Sequence, residues 1–393
     1  MQIIYLSTLY PPAIGGSQLH LHQLARVMRD LGNDVKVITL TSRYRTDWLR
    51  LSTVFPERPS SYEYDGISVN KIGFDKLTRV KVAPWASVYY LFMSRAVKEI
   101  APYLFGHIER AANDATIVHA TRNGREFLAR AGLNFARTKN IPFVLTPNHH
   151  PRWKGFLYRE YDKIYREADA VIALTEAEKE TLIEEKGVEE ARIHVTGIGP
   201  ILAKEYSADE FRREYNIESK YVLYLGQQVK YKGIEAVIRA ASIVWEKHPD
   251  TAFVFIGPQT NYSKALFKKV RDKRIISLGP VDLETKTSAI AGCEFICLPS
   301  AQESFGGVYV EAWSLRKTVI GGNIPSIASL IEHGRDGFLS SQDPKELAEN
   351  IICLLSAPDM AGSMGNAGWK KVMERYTWEM LGAKTESIYE MLC

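Results

Sequence analysis

The stretch FICLPSAQESFGGVYVEAW, Phe295 to Trp313, decides how the rest of the chain reads. It opens on four apolar residues, Phe295–Leu298, with the length and composition of a fully buried strand. A polar loop follows, then the pair Gly306-Gly307 and a segment from Val308 that reads as a helix. A buried strand running through a glycine-containing loop into a helix is the unit of parallel α/β sheets. In such sheets ligands meet the loops beyond the carboxyl ends of the strands. Glu303 falls in that loop, and Glu311 lies one turn into the helix near the same rim. The glycines let the N–H groups of Gly307 and Val308 approach an anion, which the positive end of the helix dipole favours. A carboxylate at 311 can accept hydrogen bonds from vicinal ribose hydroxyls, and one at 303 from hydroxyls of a sugar. The plain alternative is a solvated loop with two unrelated glutamates; the strand before and the glycine pair between them argue against it.

The same alternation extends in both directions. Toward the C-terminus strands are expected at Val319–Gly321 and Gly337–Leu339; toward the N-terminus at Ile275–Leu278, Ala252–Ile256 and Tyr221–Leu225. Before the turn-rich junction Gly197-Ile198-Gly199-Pro200 a second series runs Ile3–Leu6, Val35–Leu40, Thr116–His119, Phe143–Thr146, Ala170–Leu174 and Ile193–Thr196. Helices are expected between them, notably Gln18–Leu31 and Ser87–Ala111. Thr41 to about Lys81, with Pro56, Pro59, Tyr62 and Tyr64, reads as an extended loop with short strands. Two doubly wound sheets in series predict two domains, 1–200 and 201–375, with a ligand cleft between them.

Composition narrows the function. The chain has 393 residues, 46% hydrophobic and 24% charged, with a net charge of only +4, too small to imply a nucleic-acid partner. Residues 1–200 carry 27 Lys and Arg against 22 Asp and Glu, and the remainder 23 against 24. The mildly basic first half suits a phosphorylated or lipid-linked acceptor, an acidic membrane face, or a solvated surface. Four cysteines, Cys293, Cys297, Cys353 and Cys393, make no disulfide framework and fit a reducing cytoplasm. The N-terminus lacks the pattern of a signal peptide, and no apolar run reaches the roughly 18 residues of a transmembrane helix. The expected protein is cytoplasmic, or peripheral at the inner face of a membrane. Trp85–Ile108 mixes aromatic residues with Arg95 and Lys98 and reads either as a membrane-facing segment or as a helix with an aromatic core.

Two further elements lead from a strand through glycine into a helix. In LGQQVKYKGIEAVIRA a strand ends at Gly226, and Lys232-Gly233 precedes a helix. Lys232 and Lys230 place cations before that helix, and Gln227 offers a neutral donor. In YPPAIGGSQLHLHQLARVMRDLG the pair Gly15-Gly16 opens a helix with apolar positions Leu19, Leu24, Val27 and Leu31. The histidines are weaker signals. His20 and His22 point roughly 200° apart on a helix and cannot share a metal. His149 and His150 follow a strand in TPNHHPRWKG, where one can bind an acceptor or assist proton transfer; a loop pair without a role is the alternative. No metal site is expected.

Taken together, PSAQESFGGVYVEAW, GQQVKYKG and YPPAIGGSQ resemble the E-x7-E segment, the G-R-x-x-x-x-K-G element and the glycine loop of retaining glycosyltransferases of the GT-B fold, above all glycosyltransferase family 4. The resemblance continues through Val319–Ile320, Gly321-Gly322-Asn323 and GRDGFL at 334–339, and departs at Ser304 and Gln227, where the family usually has Gly and Arg. It implies an α/β GT-B fold, two Rossmann-like doubly wound domains facing a central cleft, and a C-terminal helix (376–393) that crosses back to the first domain. It implies donor contacts from Gly16, Gln227 and Lys232 and from Glu303, Ser304, Phe305, Gly306, Gly307, Val308 and Glu311. Catalytic roles fall to Glu303, Lys232, His149 and His150. Acceptor contacts fall to Gln18, to His119, which matches the first of two family histidines, and to Thr121, which stands where the second is expected.

The implied reaction is retaining transfer of a sugar from a UDP-, GDP- or ADP-sugar to a hydroxyl of a glycan, glycolipid or small molecule, without a cofactor. Attack comes from the face of the leaving group, and the departing phosphate takes the acceptor proton. The competing readings are a GT-B-fold sugar-nucleotide epimerase or hydrolase, which needs no acceptor, and a sugar-nucleotide-binding protein that has lost catalysis, which Gln227 and Thr121 favour. An NAD-linked oxidoreductase lacks its glycine fingerprint.

Overall fold

Alternate residues of β1 (Gln2–Leu9) leave the sheet on opposite sides, and this period of two builds both faces of the first unit. A computed structural model describes residues 1–12, 15–41, 59–122, 125–150 and 155–393. The first unit comprises Met1–Gly197 and Trp378–Cys393. After β1 come α1 (Gly16–Asp30), β2 (Asp34–Thr41), β3 (Ser60–Tyr64), β4 (Ile67–Lys71), α2 (Lys76–Ser87), α3 (Met93–Ala111) and β5 (Ile117–Thr121). Then follow α4 (Phe127–Lys139), β6 (Phe143–Thr146), α5 (Arg159–Glu167), β7 (Ala170–Ala173), α6 (Glu176–Glu184) and β8 (Ile193–Val195). The strands lie in the order β3-β4-β2-β1-β5-β6-β7-β8, parallel except for β3 against β4. Ile4 and Leu6 join Ile38 and Leu40 in a core covered by α2 to α6. Ile3 and Tyr5 join Val35 and Val37 in a second core with Leu21, Leu24 and Met28 of α1 and with Ile388 and Tyr389.

The second unit is Ile198–Thr377. Its elements are α7 (Ala208–Glu214), β9 (Tyr221–Leu225), α8 (Ile234–Val244), β10 (Ala252–Ile256), α9 (Asn261–Phe267), β11 (Ile275–Gly279) and α10 (Leu283–Gly292). They continue with β12 (Phe295–Leu298), α11 (Gly307–Ser314), β13 (Thr318–Gly322), α12 (Pro325–Ala328), β14 (Gly337–Ser340), α13 (Pro344–Ser356) and α14 (Pro358–Arg375). All six strands are parallel, in the order β11-β10-β9-β12-β13-β14. The order reverses between β9 and β12, and in the first unit between β1 and β5. At such a switch point the flanking helices go to opposite faces and leave a crevice at the carboxyl ends of the strands. The last helix, α15 (Trp378–Leu392), packs on α1 in the first unit.

All twelve expected strands are present, with ends shifted by at most three residues. Two expectations are corrected. The helix read from Ser87 to Ala111 begins at Met93, because Val88–Phe92 breaks it: Tyr89 turns into the core and its hydroxyl donates to buried Glu126. The loop read as far as Lys81 already contains α2 from Lys76, with Asp75 capping the N–H of Thr78 at 2.7 Å. Of that loop, Pro56 and its neighbours lie outside the described residues.

Candidate functional site

In the second unit the switch point brings together the loops after β9 and β12. The chain leaves β9 through Gly226, Gln227 and Gln228 into a short 3-10 turn, Lys230–Lys232. It leaves β12 through Pro299 to Gly306 before α11 begins. The Nε2 of Gln342 donates to the carbonyls of Tyr231 (2.8 Å) and Pro299 (2.7 Å), and the Ala301 N–H also donates to the Tyr231 carbonyl at 2.8 Å. These bonds staple the two loops together. In consequence the Lys232 ammonium meets the Glu303 carboxylate in an ion pair whose side chains are only 15% and 13% exposed. Ser326 Oγ donates to the Glu303 carbonyl at 2.8 Å and fixes the backbone beneath that carboxylate. Gln227 lies one residue past Gly226; its side chain makes no hydrogen bond among the described residues, and Lys230 is exposed.

Gly306 precedes α11 with φ +85°, in the left-handed region. A Cβ there would also lie 2.4 Å from Tyr309 Cε2, and the Tyr309 ring is held by its hydroxyl, which donates to the Leu298 carbonyl at 2.8 Å. Glycine is therefore required at 306 on two counts. Among the described residues no side chain caps α11 and none accepts from the N–H groups of Gly307 and Val308, which leaves them for an external acceptor. Phe305 is buried against the ring of Tyr376, 5.6 Å between centroids, and Ser304 beside it is partly exposed; Phe305 supports the loop from below.

Glu311 is nearly buried in α11, and its Oε1 accepts from Lys286 Nζ at 2.7 Å. Lys286 comes from α10 and also donates to the Ile201 carbonyl at 2.7 Å. Each glutamate of the segment is thus paired with a lysine from a different element. A carboxylate this far out of water needs such a partner to offset its lost hydration. Lys286, Gln342 and Ser326 escaped the sequence reading. They stand in no motif, and nothing local marks a lysine in mid-helix or a glutamine after a strand as partners of distant loops.

In the first unit, Gly16 is the first residue of α1; among the described residues a Cβ on it would meet nothing within 4 Å, and no side chain caps the helix. Gln18 is buried, and its amide oxygen folds back so that a Cβ on Gly15 would lie 2.1 Å from it. Thr121 ends β5 and is nearly buried, its hydroxyl 3.5 Å from the Leu6 carbonyl. His119, expected on the acceptor side, is instead wholly buried: its Nδ1 lies 2.5 Å from the Tyr389 hydroxyl and its Nε2 2.7 Å from Thr146 Oγ1. The Tyr389 hydroxyl also meets that of Tyr5 at 3.1 Å. Burial holds the His119 imidazole neutral, its pKa lowered to about 3. This imidazole anchors α15 to the sheet and is out of reach of a ligand at the surface.

His149 follows β6, after Asn148 in the left-handed region at φ +47°. Its N–H donates to Glu178 Oε1 at 2.6 Å, while Oε2 accepts from the Leu174 N–H at 2.7 Å. Burial raises the Glu178 carboxyl to about 7, against the two N–H bonds and the charge of Arg122. Glu178 thus ties the loop after β6 to the end of β7. His150 is partly exposed on the same loop. The buried Arg122 guanidinium lies 4.3 Å from the Tyr161 ring and donates to the Tyr165 hydroxyl. Residues Pro151–Lys154 beyond the histidines lie outside the described residues. Among the described residues no three His, Cys, Asp or Glu side chains converge as metal ligands, and no helix is long and apolar enough to cross a membrane.

Comparison with known proteins agrees with this architecture. The family described as "Glycosyl transferases group 1" matches residues 207–371, and a "Glycosyl transferase 4-like domain" matches residues 15–199. An uncharacterized glycosyltransferase of Methanocaldococcus jannaschii is 23% identical, over 100% of this chain and 98% of its own. The phosphatidyl-myo-inositol mannosyltransferase of Mycobacterium tuberculosis is 25% identical, over 96% and 93%. Among solved structures, Anabaena HepE in complex with UDP and glucose superposes with a TM-score of 0.76 at 18% identity, over 100% of both chains. Sucrose-phosphate synthase from Thermosynechococcus elongatus does so with the same score and identity, over 100% of this chain and 99% of its own. The chain carries a glycosyl transferases group 1 domain after a glycosyl transferase 4-like domain and is a glycosyltransferase of the GT-B fold.

Proposed function

We propose that the enzyme moves a sugar, with retention of anomeric configuration, from a nucleoside-diphosphate sugar to a hydroxyl acceptor. The observation that carries this reading is the pairing of Glu303 with Lys232 beside the uncapped start of α11. A diphosphate at that helix start accepts from the N–H groups of Gly307 and Val308, with Lys232 and Gln227 as further donors. Glu303 then faces the sugar, and Glu311 the ribose. In the first unit the start of α1 at Gly16 leaves an N–H open to an anion, and within that unit the loop of His149 and His150 is assigned to the acceptor. The bond from the anomeric carbon to the phosphate oxygen breaks as the acceptor oxygen bonds to that carbon from the same face. The acceptor proton passes to the departing phosphate. Glu303 is engaged by a lysine, which suits an orienting carboxylate better than a nucleophile.

A thermal-shift screen of UDP, GDP and ADP and their sugars identifies the donor, because a ligand of the folded state raises its stability. The anomeric configuration of the product, read by NMR, then tests retention; an inverted product refutes the mechanism. HepE, solved with UDP and glucose, makes UDP-glucose the first donor to try.

The acceptor reading extends to a lipid surface. The aromatic segment from Trp85 to Ile108 does not provide it, since Tyr89 is buried and Phe105 packs against the core. Instead Leu77 and Val80 on α2 stand 75% and 74% exposed, and Leu91 beyond its end 74%. Exposed Lys76 and Lys81 flank them. Such a stripe suits an anionic bilayer, and one relative is named for phosphatidyl-myo-inositol. Exposed Cys353 and Cys393, neither in a disulfide, suit the cytoplasmic side. Co-sedimentation with phosphatidylglycerol vesicles, lost in L77E/V80E, is the expected result; equal binding by that variant counts against it.

A further inference from the structure

Lys286 belongs to none of the motifs that mark the donor half of the site, yet its surroundings are those of a working group. It rises from the first turns of α10, a helix pinned along consecutive residues to the segment that opens the second unit. Lys286 Nζ donates to the Ile201 carbonyl at 2.7 Å, the Ala203 N–H to Thr287 Oγ1 at 2.9 Å, and the Ser207 N–H to Ser288 Oγ at 3.0 Å. The ammonium is therefore held at a fixed place. Its second bond goes to Glu311 Oε1 at 2.7 Å, and the two side chains are 18% and 10% exposed.

The hydrogen-bond inventory of this pair is incomplete in a specific way. A lysine ammonium has three N–H groups, and two are used. A carboxylate accepts at both oxygens, and among the described residues only Oε1 of Glu311 has a partner. What remains is one donor and one acceptor side by side. A vicinal diol presents the complementary set, one hydroxyl donating to Oε2 and its neighbour accepting from Nζ. A lone carboxylate would ask both hydroxyls to donate, and it could turn about its terminal torsion; Lys286 removes that freedom.

We infer that Lys286 is a specificity-determining residue of the donor site, which fixes the Glu311 carboxylate and completes with it a clasp for the 2′,3′-diol of the donor ribose. The inference rests on the ribose role proposed for Glu311 and goes beyond it by naming the second half of the clasp. The clasp selects ribonucleotides over deoxyribonucleotides, because a missing hydroxyl leaves a charged, nearly buried group unpartnered.

The test is binding of UDP, GDP and ADP and of their 2′-deoxy and 3′-deoxy forms, by calorimetry, to wild type, K286M, K286R and E311A. Wild type is expected to prefer the ribo form that binds best by at least about tenfold, the factor one charge-assisted hydrogen bond supplies. K286M is expected to reduce that preference to about twofold or less, and K286R to restore most of it. The kcat of K286M at saturating donor is expected to stay near the wild-type value while the donor KM rises. Equal weakening of ribo and deoxy forms in K286M would assign Lys286 a purely structural role and overturn the inference. If E311A loses the preference and K286M keeps it, Lys286 alone is excluded. If E311A keeps it, the ribose role of Glu311 falls too, and no binding of any of the three nucleotides by wild type overturns both. Should K286M melt before it can be assayed, K286Q, which keeps a donor toward Ile201, is expected to lose the preference in the same way.

Discussion

Lys232 and Glu303, which are far apart in the chain, form an ion pair at the carboxyl ends of β9 and β12, so one contact joins the element expected to hold phosphate to the carboxylate expected to hold sugar. Neither charge can be removed without exposing the other. K232A leaves the nearly buried Glu303 carboxylate without its cation, and E303A does the reverse. Each single variant is expected to lose about 3 kcal/mol of stability and about a hundredfold or more in kcat. The double variant is expected to be more stable than the sum of the two losses. A thermodynamic cycle from urea unfolding, with kcat measured alongside, checks this; strictly additive losses would show that the pair is not coupled.

Gly306 and Gly307 are adjacent but make different demands. Alanine at 306 meets both a backbone at φ +85° and the Tyr309 ring at 2.4 Å. G306A is expected to lower stability by about 1–3 kcal/mol and to displace the start of α11. Alanine at 307 would meet nothing closer than Ile198 Cγ2 at 3.8 Å. G307A is expected to melt within a few degrees of wild type and to raise the donor KM, because its methyl stands where phosphate must approach the N–H groups. Equal melting temperatures for the two variants would contradict this account.

Much of this was legible in the sequence. Buried strands of parallel sheets announce themselves as short apolar runs, and Tyr221–Leu225, Ala252–Ile256 and Phe295–Leu298 fall where the runs are. Glu303, Gly306 and Glu311 could be read because their spacing follows from one strand, one loop and one helix. What joins them could not. Lys286 and Gln342 act across long sequence separations, through a geometry that only the closed sheet creates. His119 lies within β5, and its partner is Tyr389 of a helix that comes hundreds of residues later, which nothing in the local sequence announces. The break between α2 and α3 was missed because Tyr89 is drawn inward by Glu126, a partner invisible to helical periodicity.

Tyr389 is the pin that holds α15 on the first unit. Its hydroxyl is shared by His119 Nδ1 at 2.5 Å and Tyr5 at 3.1 Å, all three side chains wholly buried. Y389F keeps the ring and removes the oxygen, leaving two buried polar groups without that partner. The expected cost is about 1–3 kcal/mol, read as a lower urea midpoint, with faster exchange of amides in α15. Y389L is expected to cost more, since the ring also packs edge-on to His119 at 5.8 Å. A Y389F protein as stable as wild type would mean that the hydroxyl contributes nothing net.

Glu178 gives the first unit a pH dependence of a particular sign. Burial raises its folded pKa to about 7 from an ordinary value of 4.5, the N–H groups of Leu174 and His149 and the Arg122 charge only partly opposing it. Between those values the folded protein binds a proton that the unfolded chain does not. Its contribution is therefore fully present below about pH 4.5 and is lost as pH rises through 7, by up to about 3 kcal/mol. Buried His20 and His119 act in the opposite sense, their pKa values lowered by burial to about 4 and about 3, so their contribution is lost as pH falls below 6.5. The difference between wild type and E178Q isolates the carboxyl. Relative to E178Q, wild type is expected to lose stability from pH 5 to pH 8 in urea titrations. The same proton should act on the site, because the carboxylate accepts the His149 N–H more strongly than the acid does. Exchange of that amide in wild type, corrected for the intrinsic rate, is expected to be better protected at pH 8 than at pH 5.5, and to show no such change in E178Q. A pH-independent difference in stability together with unchanged protection would remove Glu178 as the tether of the histidine loop.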